Sequence, residues 1–196
     1  IDEATPQRIT DMMIGREWVR TVHKDLKELA KNEIRLSVRD LTRGDVFQNI
    51  SFDAHRGEVI GIAGLLGSGR TELLRAIFGL DPVDSGTIAV NGKTVAHPSP
   101  RAMKVRGVAL TPEDRKQQAL VLIASVQDNL TMASLDRLNT AGFTSAKVLQ
   151  ESAQKMIEDT QIKTPGLDVA VNTLSGGNQQ KVVVGNWLNT PPNILL

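Results

Sequence analysis

Residues Val59 to Thr71 constrain this chain more than any other stretch. Val59, Ile60, Gly61, Ile62 and Ala63 form an unbroken apolar run, the pattern of a parallel strand buried on both faces. The run leads into Gly64-Leu65-Leu66-Gly67-Ser68-Gly69-Arg70-Thr71. From Thr71 to Phe78, Leu73, Leu74, Ile77 and Phe78 recur at helical spacing, and Gly79 is placed to stop the helix. Strand, glycine-rich turn and helix are the setting of a phosphate loop, whose pattern is glycine, four residues, glycine, lysine, then serine or threonine. Every position fits except the lysine, which is Arg70. The residue types follow from the chemistry. Glycines let successive backbone N–H groups turn inward as an anion nest. The helix start adds unpaired N–H groups and its positive dipole end. Thr71 offers a hydroxyl to a magnesium ion bridging phosphates. Arg70 supplies positive charge as a planar fork where lysine would supply a compact ammonium. The candidate nucleotide-binding residues are therefore Gly64, Gly67, Ser68, Gly69, Arg70, Thr71 and Glu72, with ATP the expected ligand.

The flanking sequence supports an α/β chain. Ile34, Leu36 and Val38 alternate with Arg35, Ser37 and Arg39, and Ile50, Phe52 and Ala54 alternate again, as half-buried strands do. Thr87 to Val90 reads as a strand ending at an Asn91-Gly92 hairpin, and Val108 to Leu110 as a short buried one. Ser125 to Leu130 and Ser145 to Gln161 read as helices, the second with Leu149, Ala153, Met156 and Ile157 on one face. This helical block, about residues 124–178, interrupts the strands as an inserted subdomain. Asn178 to Leu188 is a further helix with Val184, Trp187 and Leu188 inward, ended by Pro191-Pro192. Ile194, Leu195 and Leu196 begin what reads as another buried strand. Ile1 to Lys31 is polar and helix-prone, with Ile9, Met12 and Met13 at near-helical spacing, and reads as a tail and linker.

Composition excludes several function classes. The 196 residues include 40% hydrophobic ones, enough for a core. The formal net charge is only +1, without the clustered basic excess of a nucleic-acid surface. There is no cysteine, which removes disulfides and thiolate metal sites. No apolar run approaches the roughly 20 residues of a membrane span, and the amino terminus lacks a signal-peptide layout. Aromatics are 3% with no tyrosine, a poor base-stacking platform. His23, His55 and His97 read as surface or satisfied histidines.

A second constellation stands about a hundred residues after the loop: Leu174-Ser175-Gly176-Gly177-Asn178-Gln179-Gln180-Lys181. It opens a helix, so Ser175 and the glycine amides can face an anion. In this order after a phosphate loop, with helices between, it resembles the signature motif of the ABC transporter ATPases. The Asn-Gln-Gln-Lys variant is similar to the carbohydrate importers of the ribose, galactose and xylose type, in which one polypeptide carries two ATPase halves. Arg70, and Pro112-Glu113-Asp114-Arg115, both resemble the second half.

The resemblance implies a P-loop ATPase fold, a mixed sheet core with an antiparallel β region and an inserted helical subdomain, over residues 33–196. Residues 1–32, with Met12-Met13-Ile14-Gly15-Arg16-Glu17, would be the end of the first half and a linker. Gly67 to Arg70 would hold phosphates and Thr71 the magnesium. Glu113 stands where the family has the Q-loop glutamine, which senses magnesium and contacts the membrane partner; its added charge opposes a triphosphate. Phe47, the aromatic upstream of the loop, reads as a core strand residue. The signature, Leu174 to Gln179, would act in trans on nucleotide held by the first half of the same subunit. Ile194 to Leu196 would begin the Walker B strand; the magnesium-binding aspartate, the catalytic glutamate and the switch histidine would follow it, so this chain alone is expected not to hydrolyse ATP. The implied partners are transmembrane permease subunits, and the implied location is the cytoplasmic face of the plasma membrane. The competing readings are a regulatory half that binds nucleotide without turnover, favoured by Arg70 and Glu113, and a soluble ABC ATPase of DNA repair or translation, disfavoured by the missing basic stripe.

Overall fold

The computed structural model describes residues 31–140 and 142–196. The readings of Ile1 to Ala30, His23 among them, lie outside the described residues. Strand β1, Ile34–Arg43, pairs antiparallel with β2, Phe47–His55, on one side and with β3, Ser85–Val90, on the other. A short β4, Lys93–Thr94, completes the order β2-β1-β3-β4. The expected Asn91-Gly92 hairpin is present, with φ of 51° and 73°, the left-handed pair that a two-residue turn between right-twisted strands requires. Alternation holds through Leu36 and Val38, both buried, and then slips. Asp40 adopts φ 49° within a register shift, so that Leu41 turns to the core in its place. The Asp40 amide is held there by Ser51 Oγ at 2.8 Å.

Helix α1, Arg70–Phe78, lies against this sheet and buries Leu73, Ala76, Ile77 and Phe78. Leu74 is half-buried, and the helix ends at Gly79 as its sequence requires. Short α2, Pro100–Val105, leads to β5, Val108–Ala109, which pairs parallel with β6, Ile194–Leu195. Leu36, Val38, Leu41, Ile77, Ile88 and Met103 form the centre of one core. Phe47 is buried in it, as expected.

A second core gathers Val126, Leu130, Ala153, Met156, Val171, Val182 and Val183. It is built from α3, Val126–Thr131, α4, Ala146–Thr160, and α5, Gly176–Leu188. Ser125 caps α3 by accepting from the Asp128 amide at 3.0 Å, satisfying one of the unpaired N–H groups of the first turn. Ala153 and Met156 are inward on α4, the face its periodicity predicts.

Three expectations are corrected. Val59–Ala63 is not a strand. Val59 is 95% exposed, and Ile60 and Ile62 stand open as well. A doubly buried parallel strand needs neighbours on both edges, and among the described residues the parallel pairing is confined to β5 with β6. The inward face of α5 is Gln179, Val182, Val183 and Asn186, not Val184 and Leu188; Leu188 is 41% exposed. The second core selects that i, i+3, i+4, i+7 stripe. Trp187 leaves it to pack edge-on against Phe78, with ring centroids 5.7 Å apart, so α5 joins both cores. Finally, β6 forms, but Leu195 is 47% exposed, because no strand covers its outer edge among the described residues.

One ion cluster ties α1 to the sheet. Asp81 accepts from Arg75 Nε at 3.1 Å, Arg75 Nη2 at 3.0 Å and Arg43 Nη1 at 2.7 Å. The hydrogen bonds from Arg75, with the one from Arg43, hold the Asp81 carboxyl below the usual range although burial opposes ionisation. A carboxyl whose folded pKa is depressed stabilises the fold above its unfolded value, about 3.9. That contribution is lost as pH falls through the lower folded value. Asp81→Asn is expected to cost about 2 kcal/mol near neutral pH. Urea midpoints from pH 7 to pH 2 check this: the gap between variant and wild type should close below about pH 3.9, and a gap constant with pH would contradict the assignment.

Candidate functional site: a phosphate loop and a helix-start motif

The loop before α1 is fixed by two left-handed glycines. Gly67 has φ 80°, and the Ser68 amide donates back to the Leu65 carbonyl at 3.1 Å. Gly69 caps α1 at φ 82° with no side chain serving as the cap. Helix geometry leaves the first N–H groups of α1 without intrahelical partners, so they and the dipole face whatever the loop encloses. Gly64 packs against Ser68: a Cβ placed on it would lie 2.3 Å from Ser68 Oγ. Gly64, Gly67, Ser68, Arg70 and Thr71 are exposed. Glu72 is half-buried in the first turn, and its charge acts on Arg75.

The structure joins the loop to a residue 42 positions away. Thr71 Oγ1 donates to Glu113 Oε2 at 3.3 Å. Glu113 follows β5 in the segment Pro112 to Arg115, where its neighbour Asp114 turns aside to accept from the Lys116 and Gln117 amides at 3.0 and 3.1 Å. Thr71 and Glu113 offer two oxygens to a divalent cation. Octahedral magnesium sets adjacent ligand oxygens about 2.9 Å apart, so the pair needs to close by only a few tenths of an ångström. Among the described residues no group of three or more acidic, histidine or cysteine side chains could hold a metal, so the remaining ligands would be waters and phosphate oxygens, as magnesium prefers.

Two cavities border this pair. One, of about 610 Å³, is a mainly apolar cleft lined by Leu74, Phe78, Leu110, Met132 and Trp187 besides Thr71 and Glu113. The other, of about 720 Å³, lies between the open run at Val59 to Ile62 and β6. The first had no signal in the sequence, since its wall is assembled from residues scattered between positions 71 and 187.

The second motif sits at the start of α5. Ser175 precedes the helix and Ser175, Gly176 and Gly177 are exposed, with Asn178 Nδ2 donating to Ser175 Oγ at 3.0 Å. Leu174 and Gln179 face the other way. Both are buried, and Gln179 Nε2 donates to the Leu174 and Val171 carbonyls at 3.1 and 3.3 Å. These two hold the turn that presents the serine and glycines. Arg115 lies over the helix start, its Nη2 2.9 Å from where a Cβ on Gly176 would be. Neither cavity beside Thr71 is lined by Ser175 to Asn178, so the two motifs address different places. Of the histidines, His55 Nδ1 pairs with Glu58 Oε2 at 3.0 Å and His97 is exposed, as expected.

Residues 47–196 match the family model described as ABC transporter. The chain belongs to the ABC transporter family. Its ABC ATPase fold is shown by solved structures as well: a dimeric ATP-binding cassette in a post-hydrolysis state bound to ADP and Pi aligns with TM-score 0.68 at 20% identity, covering 82% of this chain and 72% of that one. A ribose import ATP-binding protein of Geobacillus kaustophilus is 43% identical over all of this chain, and over 39% of its own length. A putative ribose/galactose/methyl galactoside import ATP-binding protein of Rhizobium etli is 41% identical over 95% of the chain and 35% of its own. The chain thus spans less than two fifths of the length of these relatives. No helix among the described residues is long and apolar enough to cross a membrane.

Proposed function

We propose that this ABC transporter chain is the second ATPase half of a subunit that powers carbohydrate import, and that Gly64 to Thr71 holds ATP with magnesium. The observation that carries the reading is the glycine loop that opens α1, turned by left-handed Gly67 and Gly69 and followed by Thr71 in the first helical turn. Residues 33–196 would form the ATPase domain, with residues 124–178 as its helical subdomain and 1–32 as the tail of a first half. Ser175 to Asn178 would complete the first half's nucleotide site. The apolar cleft beside Glu113 would receive the permease subunits, which place the subunit on the cytoplasmic face of the membrane. Carbohydrate import is supported by the names of the relatives at about two fifths identity.

A second reading has its own support. Arg70 in the lysine position and Glu113 as an acid both weaken a triphosphate site, so this half would bind nucleotide and regulate while the other half turns over. The test is Arg70→Lys in the intact subunit, with hydrolysis at this site isolated by disabling the first half. An increase on the order of tenfold is expected if charge placement on the phosphates limits the site. Unchanged turnover would count against the idea that Arg70 weakens this loop, and so against the regulatory reading built on it. The isolated 196-residue chain should show no significant ATP hydrolysis, and a rate matching the intact subunit would defeat the two-half scheme.

A further inference from the structure

The bond between Thr71 and Glu113 also bears on which nucleotide the loop prefers. A hydroxyl that donates its hydrogen to a carboxylate keeps its lone pairs for a cation, so Thr71 Oγ1 and Glu113 Oε2, 3.3 Å apart, would both face a magnesium ion brought by the nucleotide. The acid there is Glu113 itself, because the side chain of Asp114 is spent on the amides of Lys116 and Gln117. Glu113 is exposed rather than buried, so its carboxylate is open to whatever the loop encloses. Its charge offsets that of Arg70 one residue from Thr71, leaving the Arg70–Glu113 combination formally neutral. A carboxylate at the metal also removes part of the positive charge available to phosphate oxygens.

These charges weigh unequally on the two adenine nucleotides. A triphosphate brings about one more negative charge than a diphosphate, and brings it to the terminal group that shares the metal. With an effective dielectric of about 40 and a separation of about 6 Å, the repulsion from one carboxylate amounts to about tenfold in affinity. The backbone nest and helix start, in contrast, serve the phosphates of either nucleotide. We propose that Glu113 is a specificity-determining residue that biases this loop toward nucleoside diphosphate over triphosphate. The inference rests on the nucleotide-binding reading of the loop.

The test is equilibrium binding of ADP and of ATP to the 196-residue chain at fixed magnesium, for wild type, Glu113→Gln and Glu113→Lys. The wild type should bind ADP at least as tightly as ATP. Glu113→Gln should raise the ratio of ATP to ADP affinity about tenfold, mainly through tighter ATP binding, and Glu113→Lys should raise it further in the same direction. A ratio changed less than about twofold by both substitutions, with circular dichroism showing both variants folded, would overturn the proposal. Wild-type preference for ATP by tenfold or more would do the same. Failure of the wild type to bind either nucleotide would instead overturn the nucleotide-binding reading and the proposal with it.

Discussion

Gly69→Ala should lower nucleotide affinity at the phosphate loop by at least about 30-fold and cost about 2 kcal/mol of stability. Two independent causes converge on this position. Gly69 has φ 82°, a left-handed conformation that costs an ordinary L-residue about 1–2 kcal/mol. A methyl there would also meet the Val46 carbonyl oxygen at 2.5 Å. That oxygen is backbone, in the short turn between β1 and β2, and cannot swing aside as a side chain can. The loop must move instead, and with it the Leu73 amide bonded to the Gly69 carbonyl at 2.8 Å. The N–H groups that would hold phosphate under the proposed function are displaced by the same shift, and misplaced donors lose most of their value. Gly67→Ala separates the two causes. Gly67 has φ 80° but nothing lies within 4 Å of its would-be Cβ, so that variant should pay only the conformational cost, about 1 kcal/mol, and keep most of its affinity. Titration calorimetry with nucleotide and urea midpoints would read both numbers. Equal losses at the two glycines would contradict the role assigned to the Val46 contact.

The second large effect is expected inside the helical block. Asn129 is 2% exposed. Its Oδ1 accepts from the Val121 amide at 2.9 Å, and its Nδ2 donates to the carbonyls of Val121 at 3.1 Å and Ser125 at 2.9 Å. One side chain therefore satisfies the Val121 N–H and adds a second bond to the Val121 carbonyl, which also accepts from the Ala124 amide at 2.9 Å. Asn129→Ala should destabilise by about 3 kcal/mol, because it leaves the Val121 N–H without its partner, removes the bonds to the Val121 and Ser125 carbonyls, and opens a cavity. Asn129→Asp should be at least as damaging at neutral pH, since it keeps the acceptor but loses every donation from Nδ2 and buries a charge. A loss below about 1 kcal/mol for the alanine variant would show that water replaces the amide there.

The elements legible in the sequence share one property: their signal is local. Gly67, Gly69 and Gly79 announce backbone conformations that side chains resist, and Asn91-Gly92 announces a hairpin by the same rule. Ser125 announces a helix start through an oxygen that can reach the next amides. Leu36 and Val38 announce an inward face through alternation. Where the local signal was right in kind and wrong in outcome, a distant element decided. Val59 to Ala63 has the composition of a central strand, but burial on two faces and pairing on two edges are supplied by other strands, and composition cannot supply them. Leu188 is as apolar as Val183, yet the second core meets α5 on the stripe from Gln179 to Asn186 and leaves Leu188 outside.

The same division runs through the site. A glycine loop at the start of a helix, a hydroxyl at Thr71, an arginine where a lysine is usual, and a serine-glycine-glycine start to a second helix are all written in the residue order, because each is a matter of a few adjacent residues and the dihedral angles they allow. Long-range packing brings Glu113 to Thr71, lays Arg115 over Gly176 and turns Gln179 inward. Such contacts join residues up to 61 positions apart, and their distances are set by how α1, β5 and α5 pack around two cores rather than by any preference of the residues themselves.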